Sequence, residues 1–202
     1  MKPDLLNALL HVETATLGHM ITEGFMTPAM QCATASHRCC GPALTVSLPG
    51  DDGHSLPLAL LKARPGDVLV IERLDDDRHA CWGAVMTEAA LKAGISAVVL
   101  DGYITDIGAI RAAGLAVWCK GRSPLTTKAG KNGGSVNSPV VCDGVHIKPG
   151  DIVLADENGV AVIAPQDAEA LTRQALEIQA REPLIIERVR RGESLASIYY
   201  GQ

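Results

Sequence analysis

Short, uninterrupted apolar runs limit what this chain can fold into. Val68-Leu69-Val70-Ile71, Ala97-Val98-Val99-Leu100 and Leu115-Ala116-Val117-Trp118-Cys119 contain no charged residue. A strand with one wet face alternates apolar with polar, so a strand without alternation is covered on both sides. Helical stretches separate these runs through the first two thirds of the chain, and strands dominate the next part. The expectation is an α/β fold of three layers, sheet on sheet with helices outside.

An internal echo sharpens this. Arg64-Pro65-Gly66-Asp67-Val68-Leu69-Val70 is matched by Lys148-Pro149-Gly150-Asp151-Ile152-Val153-Leu154. Pro at the first central position and Gly at the second fit a type II turn. Each turn delivers an Asp to the start of a buried strand, so the sheet system holds two similar β units. Two copies are too few for a solenoid.

Along the chain, Leu5 to His11 and Thr16 to Glu23 read as helices, the second capped by Thr14 or Thr16. Gly41 to Val46 opens the first strand. Ser55 to Ala63 is a helix with Ser55 as its N-cap, and Gly83 to Ala93 is one ended by Gly94. Gly102 to Asp106 reads as a Gly-containing turn after the strand Ala97 to Leu100. A short helix from Asp106 to Ala113 follows. Gly121 to Pro139 reads as one long loop. The strands Val140 to Cys142, Asp151 to Ala155 and Gly159 to Ile163 come next. Gln166 to Arg181 is a helix, and Pro183 starts another that runs to Arg191. The whole, 1–202, reads as a single domain with N-terminal helices over about 1–38 and C-terminal helices over about 165–202.

Composition excludes some classes. Apolar residues make up 47% of the 202, enough for a full core, while the net charge of −5 has both signs spread along the chain. No basic patch marks a nucleic-acid partner. No apolar stretch approaches the roughly 20 residues of a membrane span, and no secretory leader is visible. Six cysteines without a C-x-x-C read as buried free thiols in a reducing cytoplasm.

Motifs exclude more. No G-x-G-x-x-G follows a strand, and no G-x-S-x-G elbow exists. The glycine-rich turn and strand-end acid of a methyltransferase are also missing. Gly130-Lys131-Asn132-Gly133-Gly134 lacks a P-loop ending. It reads as a mobile glycine loop, or as an anion grip using Lys128 or Lys131. His79, in the polar loop Asp75 to His79, is either a surface residue or a substrate-facing acid or base. The ligand site of an open α/β sheet lies at the carboxyl ends of its strands. That directs attention to Trp82-Gly83-Ala84-Val85-Met86 and to Thr105-Asp106. Asp106 reads either as an N-cap or as a single-carboxylate ligand for Mg²⁺.

The segments Gly41 to Val46, Pro65 to Val70, Trp82-Gly83, Gly94 to Gly102, Asp106, Val136-Asn137-Ser138-Pro139-Val140 and Pro149 to Val160 resemble the RraA-like family over about residues 40–192. That family includes 4-hydroxy-4-methyl-2-oxoglutarate aldolase, and its members were often misnamed demethylmenaquinone methyltransferases. The resemblance implies a β/β/α swivelling domain and homotrimers, sometimes paired as hexamers, with active sites between subunits. It implies Mg²⁺ or Mn²⁺ as cofactor and a small 2-oxo acid as substrate. Aldol cleavage or oxaloacetate decarboxylation would proceed through a pyruvate enolate. The regulator that gives the family its name instead binds and inhibits an endoribonuclease, which makes a protein partner the alternative.

Carried over residue by residue, Asp106 matches the family's metal ligand. The backbone of Gly83, Ala84, Val85 and Met86 frames the substrate. Glu182 matches a glutamate supplied by a neighbouring subunit. Thr105 stands where the aldolases have a substrate-gripping arginine, and Ala84 where they have an acid that orients water on the metal. The N-terminal stretch Thr14 to His19 lacks a familiar aspartate. A threonine hydroxyl cannot replace a guanidinium fork, a loss of about 2–4 kcal/mol. A lyase on another substrate would grip the anion with Arg78, His79, Arg122 or Lys131. The expectation is a metal-dependent lyase, with a non-catalytic regulator as the second reading.

Overall fold

The computed structural model describes residues 3–34, 38–130 and 133–201. In chain order the elements are α1 (Pro3–Leu9), α2 (Thr14–Gly18), β1 (Gln31–Cys32), β2 (Cys39–Pro49), α3 (Ser55–Leu60), β3 (Val68–Leu74) and β4 (Ala80–Trp82). Then come α4 (Ala84–Ala93), β5 (Ala97–Ile104), α5 (Ile107–Ala113), β6 (Ala116–Arg122), β7 (Ser135–Val136), β8 (Val140–Cys142) and β9 (Val145–Ile147). The chain closes with β10 (Ile152–Asp156), β11 (Gly159–Ile163), α6 (Ala168–Arg190) and α7 (Leu195–Tyr200).

The main sheet runs β1-β6-β5-β3-β2-β10-β11, with β4 beside β5 and β7 beside β2. The segment β2-β3-β5-β6 is parallel, and β10 joins β2 antiparallel. Strand alternation sorts the core into layers. Leu69, Ile71, Val98, Leu100 and Val117 face α3, α4 and α5. Val68, Val70, Val99 and Trp118 face Val153, Ala155, Val160 and Val162 of the other half of the sheet. Ile152, Leu154, Ala161 and Ile163 face α1, α2 and α6. The sheet-on-sheet arrangement with helices outside, expected from the non-alternating strands, holds, as does the β/β/α fold that the family resemblance implies, and the terminal helices cover the outer side of β10 and β11.

The paired turns are alike in detail. Gly66 and Gly150 have φ of 92° and 86°. In both, the last residue donates its N–H to the first residue's carbonyl at 3.0 Å, and the Asp carboxylate accepts the first residue's N–H at 2.8 Å. These are the expected type II turns, and they flank β2, which pairs with β3 on one side and β10 on the other. Gly41 lets them approach: a Cβ there would lie 2.2 Å from the Gly66 carbonyl oxygen. Gly41→Ala is expected to cost about 1–3 kcal/mol through this overlap, read as a lowered urea midpoint.

Several boundaries differ from expectation. The first strand extends from Cys39 to Pro49, because its two ends pair with different strands. Thr14 does not cap α2; its N–H and hydroxyl both donate to Asp156. Ser55 is inside α3, its hydroxyl donating to Gly133 O at 2.6 Å. Gly102 is not a turn residue but lies within β5, where a Cβ would sit 2.9 Å from Cγ of Arg73. Helix α6 is continuous through Pro183. The long loop contains β7, and α7 follows Ser194, whose side chain accepts from Ser197 N–H. No helix among the described residues is long and apolar enough to cross a membrane.

Candidate functional site

At the carboxyl ends of β4 and β5 two loops are joined. Thr105 N–H donates to Trp82 O at 2.8 Å, and Ala84 N–H donates to Asp106 Oδ2 at 3.1 Å. Asp106 occupies the N-cap position of α5, yet makes no side-chain bond to that helix. Its backbone is left-handed (φ 52°, ψ 34°), whereas a capping residue is usually extended so that its side chain reaches the following N–H groups. The carboxylate instead caps α4, whose own N-cap, Gly83, has no side chain to offer. The expected cap of α5 is thus corrected to a cap of α4 supplied from the neighbouring loop.

Gly83 is required by this closeness: a Cβ would lie 2.7 Å from Asp106 Oδ2 and 2.9 Å from Thr105 Cγ2. Below it, Thr87 donates to Gly83 O at 2.9 Å and accepts from Trp82 Nε1 at 3.0 Å, fixing the buried indole. Asp106 itself is exposed, and its Oδ1 has only a long 3.4 Å contact from the Thr105 hydroxyl. Val85 is exposed and Met86 packs back on the core, so the first turn of α4 is open. A helix N-terminus, whose first-turn N–H groups have no intrahelical acceptor, beside an outward carboxylate oxygen can take both an anion and a cation.

Arg122 comes to the same end of the sheet. It is exposed, lies opposite Ile104 in the β5–β6 register, and is followed by Ser123, whose N–H donates to Ile104 O at 3.0 Å. One strand spacing, roughly 4.8 Å, therefore separates its backbone from the segment leading into Thr105.

His79 begins the segment whose other end is Gly83, roughly 13 Å away along extended backbone. Its Nδ1 pairs with Asp76 Oδ1 at 2.8 Å. Asp76 also pairs with Arg73, whose side chain is 2% exposed. Arg78 and Lys128 are exposed, with Lys128 3.8 Å from Asp51; Lys131 lies outside the described residues. Glu182 is exposed on the second half of α6, whose apolar face packs against α1, α2 and the β10–β11 side. Within one chain it is on the opposite side of the sheet system from α4 and α5.

Two ionic networks at the strand ends escaped sequence reasoning. In one, Arg73 donates to Gly50 O and to Asp76, while Nε and Nη1 have no protein partner. Burial works to raise the Asp76 pKa, but hydrogen bonds from His79 and Arg73 prevail and hold it at about 2. In the other, Lys120 bridges Asp101 and Asp143, and Asp143 accepts from Thr27 N–H and hydroxyl. Burial opposes ionisation of Asp143, yet Thr27 and Lys120 hold its carboxyl below the usual range. The available signal was a charge directly ending each apolar strand. The six cysteines are free; burial pushes the Cys40 and Cys81 thiols up to about 12, which leaves them inert.

Fold and site together define a layered α/β protein with a carboxylate and a helix N-terminus at the carboxyl ends of a parallel sheet. A family model described as RraA-like, Aldolase/RraA, matches residues 7–162, and the chain belongs to that family. A Halalkalibacterium halodurans protein provisionally named 4-hydroxy-4-methyl-2-oxoglutarate aldolase is 34% identical over 156 residues, 77% of this chain and 73% of that one. An uncharacterised Pseudomonas syringae protein has a similar structure, with TM-score 0.85, 28% identity, and coverage of 98% of this chain and 93% of that one. Streptomyces coelicolor RraAS2, described as an unusual member of the RNase ES inhibitor RraA family, matches with TM-score 0.80 and 25% identity over 91% of this chain and 96% of its own.

Proposed function

We propose that this protein is a divalent-metal-dependent lyase acting on a small 2-oxo acid. One observation carries the reading: an exposed Asp106 carboxylate fixed by the N-terminus of α4 in a family with aldolase-named relatives. No group of three or more His, Cys, Asp or Glu among the described residues forms a metal cage. A single carboxylate with one outward oxygen fits Mg²⁺ or Mn²⁺, since Mg²⁺ commonly keeps several waters. Asp106 Oδ1 would hold the ion, which when bound supplies Lewis acidity at a carbonyl oxygen.

The chain's own residues do the rest. First-turn N–H groups of Val85 and Met86 orient the substrate carboxylate. Arg122, a strand away, supplies the guanidinium that Thr105 cannot. The second half of α6 and α7 expose Leu184, Ile186, Leu195, Tyr199 and Tyr200, an apolar surface suited to a subunit contact. In a trimer that contact would bring Glu182 to a neighbour's Asp106 as a further carboxylate, acid or base.

The test is pyruvate release from oxaloacetate and from 4-hydroxy-2-oxo acids, with and without Mn²⁺. Chelator-sensitive turnover that falls at least about 30-fold in kcat/KM in Arg122→Ala, roughly 2 kcal/mol, is expected. Absence of turnover, with no Mn²⁺ bound, overturns the proposal. It would favour the second reading, a protein-binding regulator, which rests on Thr105 and Ala84 replacing charged groups and on the resemblance to RraAS2.

A further inference from the structure

The two Pro-Gly-Asp turns have a joint consequence at the other end of the sheet. Between them opens a cleft of about 760 Å³, with Pro42, Pro65 and Pro149 as accessible apolar lining and Lys62, Arg64 and Asn137 as polar lining. The Lys148–Asp151 turn is held to β2 at Ala43, where Gly150 N–H donates to the Ala43 carbonyl at 2.9 Å and Ala43 N–H donates to Asp151 O at 2.8 Å. The Arg64–Asp67 turn is held to the start of β5, where Gly66 N–H donates to Gly94 O and Ser96 N–H donates to Asp67 O, both at 2.9 Å. The walls are therefore fixed by backbone bonds on both sides, which is what a pre-formed pocket requires.

The exposed charge in the cleft is positive, and the acid in its lining is buried. Lys62 and Arg64 are exposed, and neither has an ion-pair partner among the described residues. The lining acid is Asp67, buried, with Oδ2 occupied by Arg64 N–H at 2.8 Å. Asn137 completes the polar rim from a left-handed backbone (φ 58°), held there by its N–H to Thr45 O at 2.7 Å and by the Thr45 hydroxyl on Ser138 O at 2.6 Å.

We infer that the cleft between the twin turns is a second binding site, for a small organic anion with an apolar body, such as an aryl or alkyl phosphate or carboxylate. The cationic pair takes the anionic head, the Asn137 amide adds a directed hydrogen bond, and the proline-lined wall takes the body. The site lies where β3 and β5 begin, whereas Asp106 follows the end of β5, roughly 25 Å away along the strand. It is thus separate from the lyase chemistry proposed above.

Phenyl phosphate, with benzyl alcohol as the neutral control, is the probe for the full-length protein, followed by amide NMR. Expected is saturable binding with Kd below about 1 mM and shifts concentrated at Arg64, Gly66, Asn137 and Gly150. The double variant Lys62→Ala/Arg64→Ala, at two exposed positions, should weaken binding at least about tenfold with an unchanged thermal midpoint. Benzyl alcohol should not saturate. Shifts centred elsewhere, binding indifferent to the double variant, or a cleft filled by a second copy of this chain would each overturn the inference. Loss of lyase turnover has no bearing on this readout.

Discussion

Replacing Asp106 with Asn is expected to abolish metal-dependent turnover, lowering kcat/KM by at least about 10³-fold, or roughly 4 kcal/mol. The amide oxygen of Asn can still accept the Ala84 N–H that Asp106 accepts at 3.1 Å, so α4 stays capped. The negative charge that would hold a cation is gone. Asp106→Ala should lose both, adding about 1 kcal/mol of destabilisation for the missing cap. Measured together, kcat/KM and thermal midpoint separate the two roles: Asn loses only activity, Ala loses activity and some stability. Retained turnover in Asp106→Asn would show that this carboxylate is a cap and nothing more.

The largest expected effect on stability is at Arg73. Its guanidinium is buried and pairs with Asp76, and its Cγ–Cδ stem passes over Gly102 in β5. Arg73→Met removes the positive member and leaves His79 as the remaining side-chain partner of Asp76. Breaking a buried pair in this way costs about 3–5 kcal/mol, a midpoint drop of roughly 10 °C for a domain of this size. The pH dependence follows from Asp76. Its carboxyl is held at about 2 in the fold and returns to about 4 on unfolding. Its contribution is therefore complete above about pH 5, and is lost as pH falls through 4 toward 2. Urea midpoints across that range should fall less steeply in Asp76→Asn than in the parent. Parallel curves would remove Asp76 as the source.

The legible part of the candidate site was its backbone. Gly83 before a helix, Gly94 after it, and a carboxylate two residues beyond Ile104 mark a strand-end site through turn chemistry, and the structure brings Gly83, Thr105 and Asp106 into contact. What Asp106 caps was not legible, because the choice between α5 and α4 depends on a left-handed φ and on a loop 22 residues away. His79 also needed the fold: β4 is only three residues long and follows the polar loop Asp75 to His79, and only its pairing with β5 shows that His79 starts the segment and Gly83 ends it. Arg122 gained its place from register alone.

By itself the sequence determined the layers and the twin turns. Non-alternating apolar strands must be covered on both faces, and Pro-Gly-Asp specifies its turn within four residues. Both are rules that can be read from short stretches of chain. The tertiary structure decided which charges meet. Arg73 over Gly102 of β5, Lys120 of β6 on Asp101 of β5, and Asp106 on the N-terminus of α4 come together because parallel strands run side by side, and Asp143 reaches Lys120 from the turn between β8 and β9. Partners across a sheet are set by register and burial, and neither is a property of any short stretch of chain.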